Sequence, residues 1–408
     1  MSRITIIGVP EDGCLSLTSR AVSAVSQARL VAGHARHIEW FPQFDGQFLD
    51  MAQGFSPWLN QVIEESEEGN IVVLASGDPL FFGIGATLIR KVGNEALSFI
   101  PSFSSAQLAF SRLGLPWSEA QFISFHGRKL KGFVSRVQQG DLFAVLTDTV
   151  NTPQALANHL KNYNEHGWTL SVCEQLGGAN EKISTFDVNA LAELSTEFDP
   201  LNIVVLKRTS DKSWGGFGQY ADDECFSKRM PQKGLITKQP VRNLALSMLK
   251  LKNKDVMWDI GAASGSIAIE AGKQCWKGEV HAIECNPDCF DAIESNIRAH
   301  GTDNVQLTKG KAPDSLSELP APNAVFIGGT RGAMEDILSQ VWLRLEDGAR
   351  LVVSAVTMDT VVEVYQWAKQ RDLPFDSQLV NISQTQPLVH YLRYQAENPI
   401  HLFTLTKN

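Results

Sequence analysis

Short apolar runs alternate with turn clusters and amphipathic stretches along the first half of the chain. The runs fall at residues 4–9, 30–32, 71–75, 97–100, 122–125, 142–146, 170–173 and 202–206. Apolar runs of this length predict strands buried on both faces of a sheet. One helix is predicted to begin near Thr18, a second to end at Leu113 and a third to span residues 152–163. The alternation predicts an α/β domain over residues 1–207.

The second half shows the same alternation after a break. From residue 208 to 233 the apolar periodicity fades into a glycine-rich and acidic stretch, which predicts a linker. Residues 234–408 form the second predicted domain, and Thr237 is the expected N-cap of its first helix. Further strands are predicted at 256–260, 280–283, 305–308, 324–327 and 351–356, with helices at 266–275 and 287–300. The last apolar runs, 377–383 and 400–406, predict an antiparallel pair at the sheet edge.

A glycine turn follows the first strand of the second domain. It reads Asp259-Ile-Gly261-Ala-Ala263-Ser-Gly265, and the next strand ends in Glu284. A carboxylate at that distance can accept hydrogen bonds from both hydroxyls of a ribose. The stretch that begins at Gly261 lacks the second and third glycines of the dinucleotide pattern G-x-G-x-x-G. The turn fits the pattern D-x-G-x-[GA]-x-G instead. This motif resembles that of the Rossmann-like, class I S-adenosylmethionine (SAM) methyltransferases, and Ala263 at its centre is expected to have negative φ.

Composition narrows the class of protein. The chain has 408 residues, 43% of them hydrophobic, and no apolar run long enough to span a membrane. Together with an N-terminus unlike a signal peptide, this predicts a soluble cytoplasmic protein. The net charge of −9 argues against nucleic acid or an anionic membrane as the main partner. The six cysteines are scattered without a C-x-x-C pair, so neither a disulfide framework nor a metal site is expected.

Several motifs of the first domain are specific. They include Gly33-His-Ala-Arg-His37, Ala75-Ser-Gly-Asp78-Pro-Leu-Phe-Phe-Gly-Ile-Gly85, Pro101-Ser-Phe-Ser-Ser105, Ser124-Phe-His-Gly-Arg128 and Cys173-Glu-Gln-Leu-Gly-Gly178. In this order they resemble the tetrapyrrole (precorrin) methylase family, in the branch that methylates carbon 5 of precorrin-6B. The resemblance implies a two-lobed tetrapyrrole methylase fold.

The second domain resembles the methyltransferases that act on carbon 15 and decarboxylate an acetate side chain. The motifs that carry this likeness are Leu235-Ile-Thr-Lys238, the glycine turn, Gly310-Lys-Ala-Pro313, Phe326-Ile-Gly-Gly329 and Ala355-Val-Thr-Met-Asp-Thr360. The fusion implies a mostly parallel sheet with an antiparallel edge and a bifunctional enzyme of cobalamin biosynthesis. The expected reaction converts precorrin-6B to precorrin-8. A homo-oligomer is also expected.

The resemblance implies one SAM site in each domain. In the second domain the expected contacts are Thr237, Gly261, Ala262, Ala263, Ser264, Gly265, Glu284 and Ala312. In the first domain they are Gly8, Pro10, Asp78, Leu80, Ser104, Ser105 and Leu146. At Lys311 the family usually has an acidic residue, and a lysine cannot accept a hydrogen bond from the adenine amine.

The substrate carries many carboxylates, so cationic side chains are needed locally. The candidates are Arg36, His37, Arg128 and Arg331, although each also suits an ordinary surface position. Decarboxylation requires protonation of the ring, and a positioned acid assists such a step. Asp12, His126 and Glu174 are weak candidates for it.

Two other functions remain open at this point. The second domain could methylate RNA or protein, although the Asn-Pro-Pro-aromatic motif of amino-group methylation is absent. A non-catalytic SAM-binding regulatory protein would also carry these binding motifs. The sequence leaves undecided whether the substrate holds cobalt, and which carbon is methylated first.

Overall fold

The computed structural model describes residues 3–13, 15–210, 214, 218–229 and 236–407. Cys14 and parts of the predicted linker therefore lie outside the described residues. By its contacts the chain divides into two compact units. Unit 1 comprises residues 1–129, 141–155 and 169–208, and unit 2 comprises 130–140, 156–168 and 209–408.

Ten strands lie among the described residues up to position 208. They are β1 (Ile4–Val9), β2 (Leu30–Gly33), β3 (Gln47–Asp50), β4 (Ile71–Ser76), β5 (Leu97–Ile100), β6 (Gln121–Ser124), β7 (Leu142–Leu146), β8 (Trp168–Glu174), β9 (Lys182–Asp187) and β10 (Asn202–Arg208). The helices of this region are α1 (Ser19–Ser26), α2 (Ala35–Ile38), α3 (Phe55–Glu65), α4 (Gly85–Val92), α5 (Ser105–Leu113), α6 (Phe133–Val137), α7 (Pro153–Asn162) and α8 (Val188–Ala192).

These strands form two five-stranded sheets. The first has the order β3-β2-β4-β1-β5 and its pairs are parallel. The second has the order β6-β7-β10-β8-β9 and is mixed, because β7 pairs antiparallel with β10 while β6 pairs parallel with β7. All eight strands predicted here are present. The interior strand β1 is buried on both faces and apolar except for Thr5, which explains why its pattern was readable.

Unit 2 contains a larger sheet. The strands of this unit are β11 (Val256–Ile260), β12 (Glu279–Glu284), β13 (Val305–Lys309), β14 (Ala324–Ile327), β15 (Arg350–Ala355), β16 (Phe375–Val380), β17 (Ser383–Leu388), β18 (Tyr391–Ala396) and β19 (Ile400–Thr406). Its later helices are α9 (Gln239–Leu249), α10 (Ser266–Gln274), α11 (Phe290–Ala299), α12 (Met334–Arg344) and α13 (Met358–Gln370). Seven strands have the order β13-β12-β11-β14-β15-β19-β16.

The edge of this sheet confirms the predicted antiparallel pair. β19 inserts antiparallel between β15 and β16, whereas β11 to β15 are parallel. β17 and β18, which were not predicted, form a separate hairpin with every residue exposed. The N-cap prediction was wrong by one residue. Lys238 precedes α9, and Thr237 instead accepts a hydrogen bond at its carbonyl from Arg242 Nη1 at 2.7 Å.

Two segments from the first half of the sequence, residues 130–140 and 156–168, belong to unit 2. The buried carboxylate of Asp303 contacts residues of both. Asp303 Oδ1 accepts from the Ser135 N–H (2.9 Å) and Oγ–H (2.8 Å), and Oδ2 accepts from the Val134 N–H at 2.9 Å. His159 Nε2 lies 2.9 Å from Oδ2 as well. Buried carboxylates require such partners, so α6 and α7 are fixed to the loop before β13.

Candidate active site

The glycine turn of unit 2 lies where the order of parallel strands reverses. β11 is flanked by β12 and β14, and ligands of open α/β sheets bind outside the carboxyl ends of strands at such a point. Gly261 has φ +77°, and a side chain there would collide with the backbone of Gly329 after β14. Glycine is therefore required for the two strand ends to approach each other.

Ala263 does not have the expected negative φ. Its φ is +52°, in the left-handed region that costs a residue with a Cβ atom about 1 kcal/mol or more. The expectation was wrong because the turn directs the Ala263 N–H toward Glu284, where it donates to Oε2 at 2.9 Å. This hydrogen bond to a carboxylate compensates the unfavourable backbone conformation.

Glu284 is the last residue of β12, and its carboxylate accepts three hydrogen bonds from backbone N–H groups. Its Oε1 accepts from the N–H groups of Cys285 (2.9 Å) and Asn286 (2.8 Å), in addition to the Ala263 bond. A carboxylate has about four acceptor positions, so about one remains for a ligand hydroxyl. The side chain is 7% exposed, and that exposed part lines a cavity. Its oxygens are thus oriented before any ligand binds.

The cavity beside Glu284 has a volume of about 340 Å³, within the range of small-molecule sites. Five of the eight predicted cofactor residues of the second domain line it, namely Thr237, Gly261, Ala263, Glu284 and Ala312. Arg331 lines it too. Ala262, Ser264 and Gly265 lie behind the surface and shape the turn, for example through the bond from Gly265 N–H to Ala262 O at 2.7 Å.

The charges around this cavity are mainly positive. Arg229, Lys238, Lys311 and Arg331 line it, and Glu284 is the one acidic side chain among its described lining residues. The chain as a whole has a net charge of −9, so this local excess of positive charge is a property of the cavity. It suits an anionic ligand. Arg331 has φ +50°, and such strained residues are concentrated at functional sites.

Asp259, at the end of β11, lies behind the glycine turn. It is 1% exposed, and its Oδ2 accepts from the Ala268 N–H at 3.0 Å in the first turn of α10. Burial raises the pKa of Asp259 to about 7, with a smaller contribution in the same direction from the Glu284 charge. Its carboxyl therefore links the strand to the helix.

Unit 1 has a second cavity at the carboxyl ends of β1, β4 and β7. Its volume is about 300 Å³, and Pro10, Asp78, Ser104, Ser105 and Leu146 line it, as predicted cofactor residues. Leu80 lines an adjoining cavity together with Asp78 and Ser104. Gly8 lies beneath, where a side chain would collide with the Gly77 carbonyl. The predicted residues therefore lie together in one region.

The loop that follows β6 is fixed at the rim of this cavity. Asp148 Oδ2 accepts from the Gly127 N–H at 2.7 Å, and Asn151 Nδ2 donates to the carbonyls of Phe125 and Arg128 at 2.9 Å. Hydrogen bonds from the backbone of Asn151, followed by those of Gly127 and Val150, lower the pKa of Asp148 to about 2. His126 is held at the cavity by these contacts.

The other catalytic candidates line neither cavity. Glu174 is buried, its Oε1 accepts from the Asp199 N–H at 2.8 Å, and Lys182 lies 3.7 Å from Oε2. Asp12 accepts a short hydrogen bond from Ser16. Both carboxylates therefore have local partners, and their catalytic role stays a prediction.

The cationic candidates of unit 1 differ in character. Arg36 pairs with Glu11 Oε1 at 2.9 Å and donates to Ser76 Oγ at 3.1 Å. Burial, then the charges of Arg36 and His34, lowers the pKa of His37 to about 4. A neutral imidazole at pH 7 offers no cation to a carboxylate. Arg128 is exposed and lines neither of the two cavities.

Sequence reasoning missed part of the cationic lining. Arg229 belongs to a stretch without periodicity, so nothing in the sequence pointed to it. Lys238 and Asn286 also line the cavity of unit 2. Asn286 follows Glu284 by two residues at the carboxyl end of a strand, and that position was a usable signal.

Comparison with known proteins agrees with this architecture. The family described as Tetrapyrrole (Corrin/Porphyrin) Methylases matches residues 3–192, and the Precorrin methyltransferase domain matches residues 229–407. The chain is 34% identical over 366 residues to the precorrin-6Y C(5,15)-methyltransferase (decarboxylating) of a Sinorhizobium species, covering 87% of this chain and 85% of the relative.

Shorter relatives match parts of the chain. Cobalt-precorrin-7 C(5)-methyltransferase of Salmonella typhimurium is 29% identical over 203 residues, covering 50% of this chain and 98% of the relative. A probable cobalt-precorrin-6B C(15)-methyltransferase (decarboxylating) of Methanothermobacter thermautotrophicus is 30% identical over 169 residues, covering 41% and 86%. The fold and these matches define a two-part tetrapyrrole methylase. The chain belongs to the precorrin-6Y C(5,15)-methyltransferase (decarboxylating) family.

In the described part of the chain, no helix is both long and apolar enough to cross a membrane.

Proposed function

We propose that the protein is a SAM-dependent C-methyltransferase of cobalamin biosynthesis that methylates precorrin-6B at carbons 5 and 15. It also removes an acetate carboxylate as carbon dioxide, which gives precorrin-8. The observation that carries the proposal is Glu284, a preoriented carboxylate in a cationic cavity of a chain that belongs to this family. Glu284 binds a ribose hydroxyl, and the surrounding cations suit a substrate rich in carboxylates.

Each unit holds one SAM molecule in this proposal. In unit 2, Glu284 holds the ribose and the turn from Gly261 to Ala263 permits close approach of the cofactor. In unit 1, Asp78, Ser104 and Leu146 line the corresponding cavity. Lys311 is exposed at the rim of the unit 2 cavity, and its side chain has no acceptor atom for the adenine amine, so that contact comes from backbone or from another residue.

The protein contributes mainly by positioning the reactants. SAM supplies an electrophilic methyl group, and the meso carbons of a reduced tetrapyrrole are enamine-like nucleophiles. Each transfer breaks the bond between sulfur and the methyl group of SAM, forms one carbon–carbon bond and releases S-adenosylhomocysteine. The ring gains a positive charge, which loss of a proton or of carbon dioxide neutralises, and alignment governs the rate. Orientation of two reactants supplies on the order of 7 to 11 kcal/mol. A strong base is therefore not required of the residues that line either cavity.

Substrate carboxylates are bound by Arg331 in unit 2. Arg331 follows Gly328, Gly329 and Thr330 at the carboxyl end of β14, and its guanidinium has a planar fork of donors that matches a carboxylate. On decarboxylation, the carbon–carbon bond to the carboxylate breaks and its electron pair enters the ring system, which then takes up a proton. Asp12, His126 and Glu174 belong to unit 1, so none lines the cavity to which we assign this step.

The names of the shorter relatives suggest an order. One acts on precorrin-6B at carbon 15 with decarboxylation, and the other acts on precorrin-7 at carbon 5, both as cobalt forms. We assign carbon 15 and decarboxylation to the domain 234–408, which acts first. Carbon 5 is assigned to the domain 1–207. Whether this chain takes the metal-free or the cobalt form is decided by assay.

The experiment uses the full chain with variants that block one site each. Purified protein is incubated with SAM and precorrin-6B, and products are followed by liquid chromatography and mass spectrometry. Wild type should add two methyl groups and lose one carbon dioxide. Ser105→Trp, which fills the unit 1 cavity, should stop after one methyl addition with loss of carbon dioxide, whereas Glu284→Gln should slow both.

Other outcomes separate the alternatives. SAM binding without any product from either the metal-free or the cobalt substrate would overturn the proposal in favour of a binding protein. Salt-dependent RNA binding with RNA methylation would favour a nucleic-acid methyltransferase.

We also propose a homo-oligomer, supported by the hairpin β17–β18. Tyr391, Leu392 and Tyr394 are 77%, 72% and 77% exposed, and an isolated two-stranded hairpin is marginally stable in water. Leu392 and Tyr394 share one face with Thr385 and Pro387 across the pair. The strands carry one charged residue, Arg393, so two copies of this face meet without charge repulsion.

A further inference from the structure

Residues 218–228 lie between the two family matches, which end at 192 and begin at 229, and Arg229 is the first residue of the second match. The sequence predicts a linker here, but Ala221 and Phe226 are 4% and 3% exposed and belong to the hydrophobic core of unit 2. Connecting segments normally run over the protein surface, so this burial distinguishes residues 218–229 from an ordinary linker. The segment is therefore an integral part of the unit that contains the cationic cavity.

Buried charges fix the first half of this segment. Lys273 Nζ donates to the Gly218 carbonyl at 2.7 Å, and Arg242 Nη2 donates to the Ala221 carbonyl at 2.6 Å. The Ala221 N–H donates to Glu270 Oε1 at 3.0 Å. Arg242 and Glu270 are fully buried and pair at 2.8 Å. Charge-assisted bonds of this kind define a single path for the backbone.

The second half is fixed by an aromatic stack and an amide. Phe226 stacks on His300 at 4.4 Å with an angle of 11°, and His300 Nε2 lies 3.1 Å from the Cys225 carbonyl oxygen. Asn296 accepts from the Ser227 N–H at 2.7 Å and donates to the Ser227 carbonyl at 2.9 Å. The backbone two residues before Arg229 is thus held at both its donor and its acceptor.

The same amide reaches the glycine turn. Asn296 Nδ2 also donates to the Ser264 carbonyl at 2.9 Å, and Asn296 is 1% exposed. One side chain therefore links the segment to the turn that we assign to the cofactor. The positions of Arg229 and of the turn are coupled through this contact.

Arg229 is presented at the cavity by this arrangement. It lines the cavity, and its side chain is 35% exposed. Among the described residues, Arg229 forms one ion pair, in which Nη1 lies 3.9 Å from Oδ2 of the exposed Asp288, beyond hydrogen-bonding distance. The guanidinium therefore retains its donors for a ligand.

We propose that Arg229 binds a carboxylate of a ligand in this cavity and so determines specificity. Both molecules of the proposed reaction carry such a group: SAM at its amino-acid end, and the tetrapyrrole on its side chains. The inference rests on the proposed function of the cavity. Arg229 is attached to the connector, so the connector forms part of the binding site.

The test measures steady-state kinetics of Arg229→Gln in the full chain, with carbon dioxide loss as the readout for unit 2. KM is determined for SAM and for the tetrapyrrole separately. Inhibition by S-adenosylhomocysteine is compared with inhibition by methylthioadenosine, which lacks the carboxylate. Arg229→Lys should restore part of any loss, because it keeps the charge without the fork. Arg298→Gln, an exposed charge on α11 outside the cavity, is the matched control.

Each outcome has one meaning. If Arg229 binds SAM, Arg229→Gln raises the KM of SAM and the Ki of S-adenosylhomocysteine about tenfold, with methylthioadenosine unaffected. If it binds the substrate, only the tetrapyrrole KM rises by that factor. Kinetics equal to those of Arg298→Gln would overturn the inference. A wild-type chain that releases no carbon dioxide would instead overturn the proposed function.

Discussion

The backbone N–H of Ala263 donates a hydrogen bond to Glu284 Oε2 at 2.9 Å, while Ala263 itself adopts φ +52°. The turn after β11 and the end of β12 are thereby locked together. The donor of this hydrogen bond is a backbone N–H, so the bond depends on the backbone conformation of residue 263 and not on its side chain.

Ala263→Gly should stabilise the protein. Glycine removes the cost of the left-handed conformation, about 1 to 2 kcal/mol, while its greater freedom in the unfolded chain offsets about half of this gain. We expect the free energy of unfolding to rise by about 0.5 kcal/mol, measured by urea denaturation, with the KM of SAM unchanged. Ala263→Val should lower both stability and SAM affinity. A destabilised glycine variant would contradict this account.

Glu284→Gln should weaken SAM binding. The amide keeps one acceptor oxygen but directs an NH₂ group toward backbone N–H groups that now donate to the carboxylate. We expect the KM of SAM for carbon dioxide release to rise at least about tenfold. Glu294→Gln removes a carboxylate that pairs with Lys309 outside the cavity and serves as the control. Equal KM values in the two variants would rule out the role of Glu284.

The buried Asp259 predicts a pH dependence of stability. Its pKa is about 7 in the folded chain against an ordinary value of 3.8. Between these values the folded state binds more protons than the unfolded state, so the free energy of unfolding falls as pH rises. The slope contributed by one such group is at most about 1.4 kcal/mol per pH unit.

Asp259→Asn should remove this slope while keeping an acceptor for the Ala268 N–H. Urea denaturation at several pH values between about 4 and 7 compares the variant with wild type. His37 and His300 have pKa values lowered to about 4 and act in the opposite direction, because they lose stability as pH falls. The difference between the two curves isolates Asp259, and identical slopes would refute its role.

Replacing the apolar hairpin face should reduce the size of the assembly. In Leu392→Ser with Tyr394→Ser, the exposed apolar face of β18 becomes polar. Light scattering coupled to size exclusion should then show a smaller species than wild type. Gln395→Ser changes the opposite face of the same strand and should leave the mass unchanged. If the mass of the wild-type protein is that of a monomer, the proposal of a homo-oligomer is wrong.

The sequence was sufficient for the elements whose apolar pattern is local. β1 and β11 are mainly apolar runs ended by turn residues, and the antiparallel pairing of β16 with β19 was predicted because no helical pattern separates the two runs. The glycine turn and Glu284 were found because their spacing along the chain is short. These features need no long-range information.

Other features depend on contacts far apart in the sequence. Arg229 lines the cavity because Asn296 and Phe226 hold its segment, and no pattern in 208–233 encodes those partners. The positive φ of Ala263 depends on where Glu284 lies. The burial of His37 against Ser76 joins residues 39 positions apart. Such relations appear only once the chain is folded.

The contacts of Asp303 should hold the two parts of the chain together even if the chain is cut within the predicted linker. Residues 130–140 and 156–168 are encoded before the connector but pack on the loop that contains Asp303. Two polypeptides divided at residue 212 and expressed together should therefore copurify, and Asp303→Ala should let them part. The two methylations would then stay in one particle even when the polypeptide is not continuous. A gene split at this point would still encode an enzyme in which both parts remain associated.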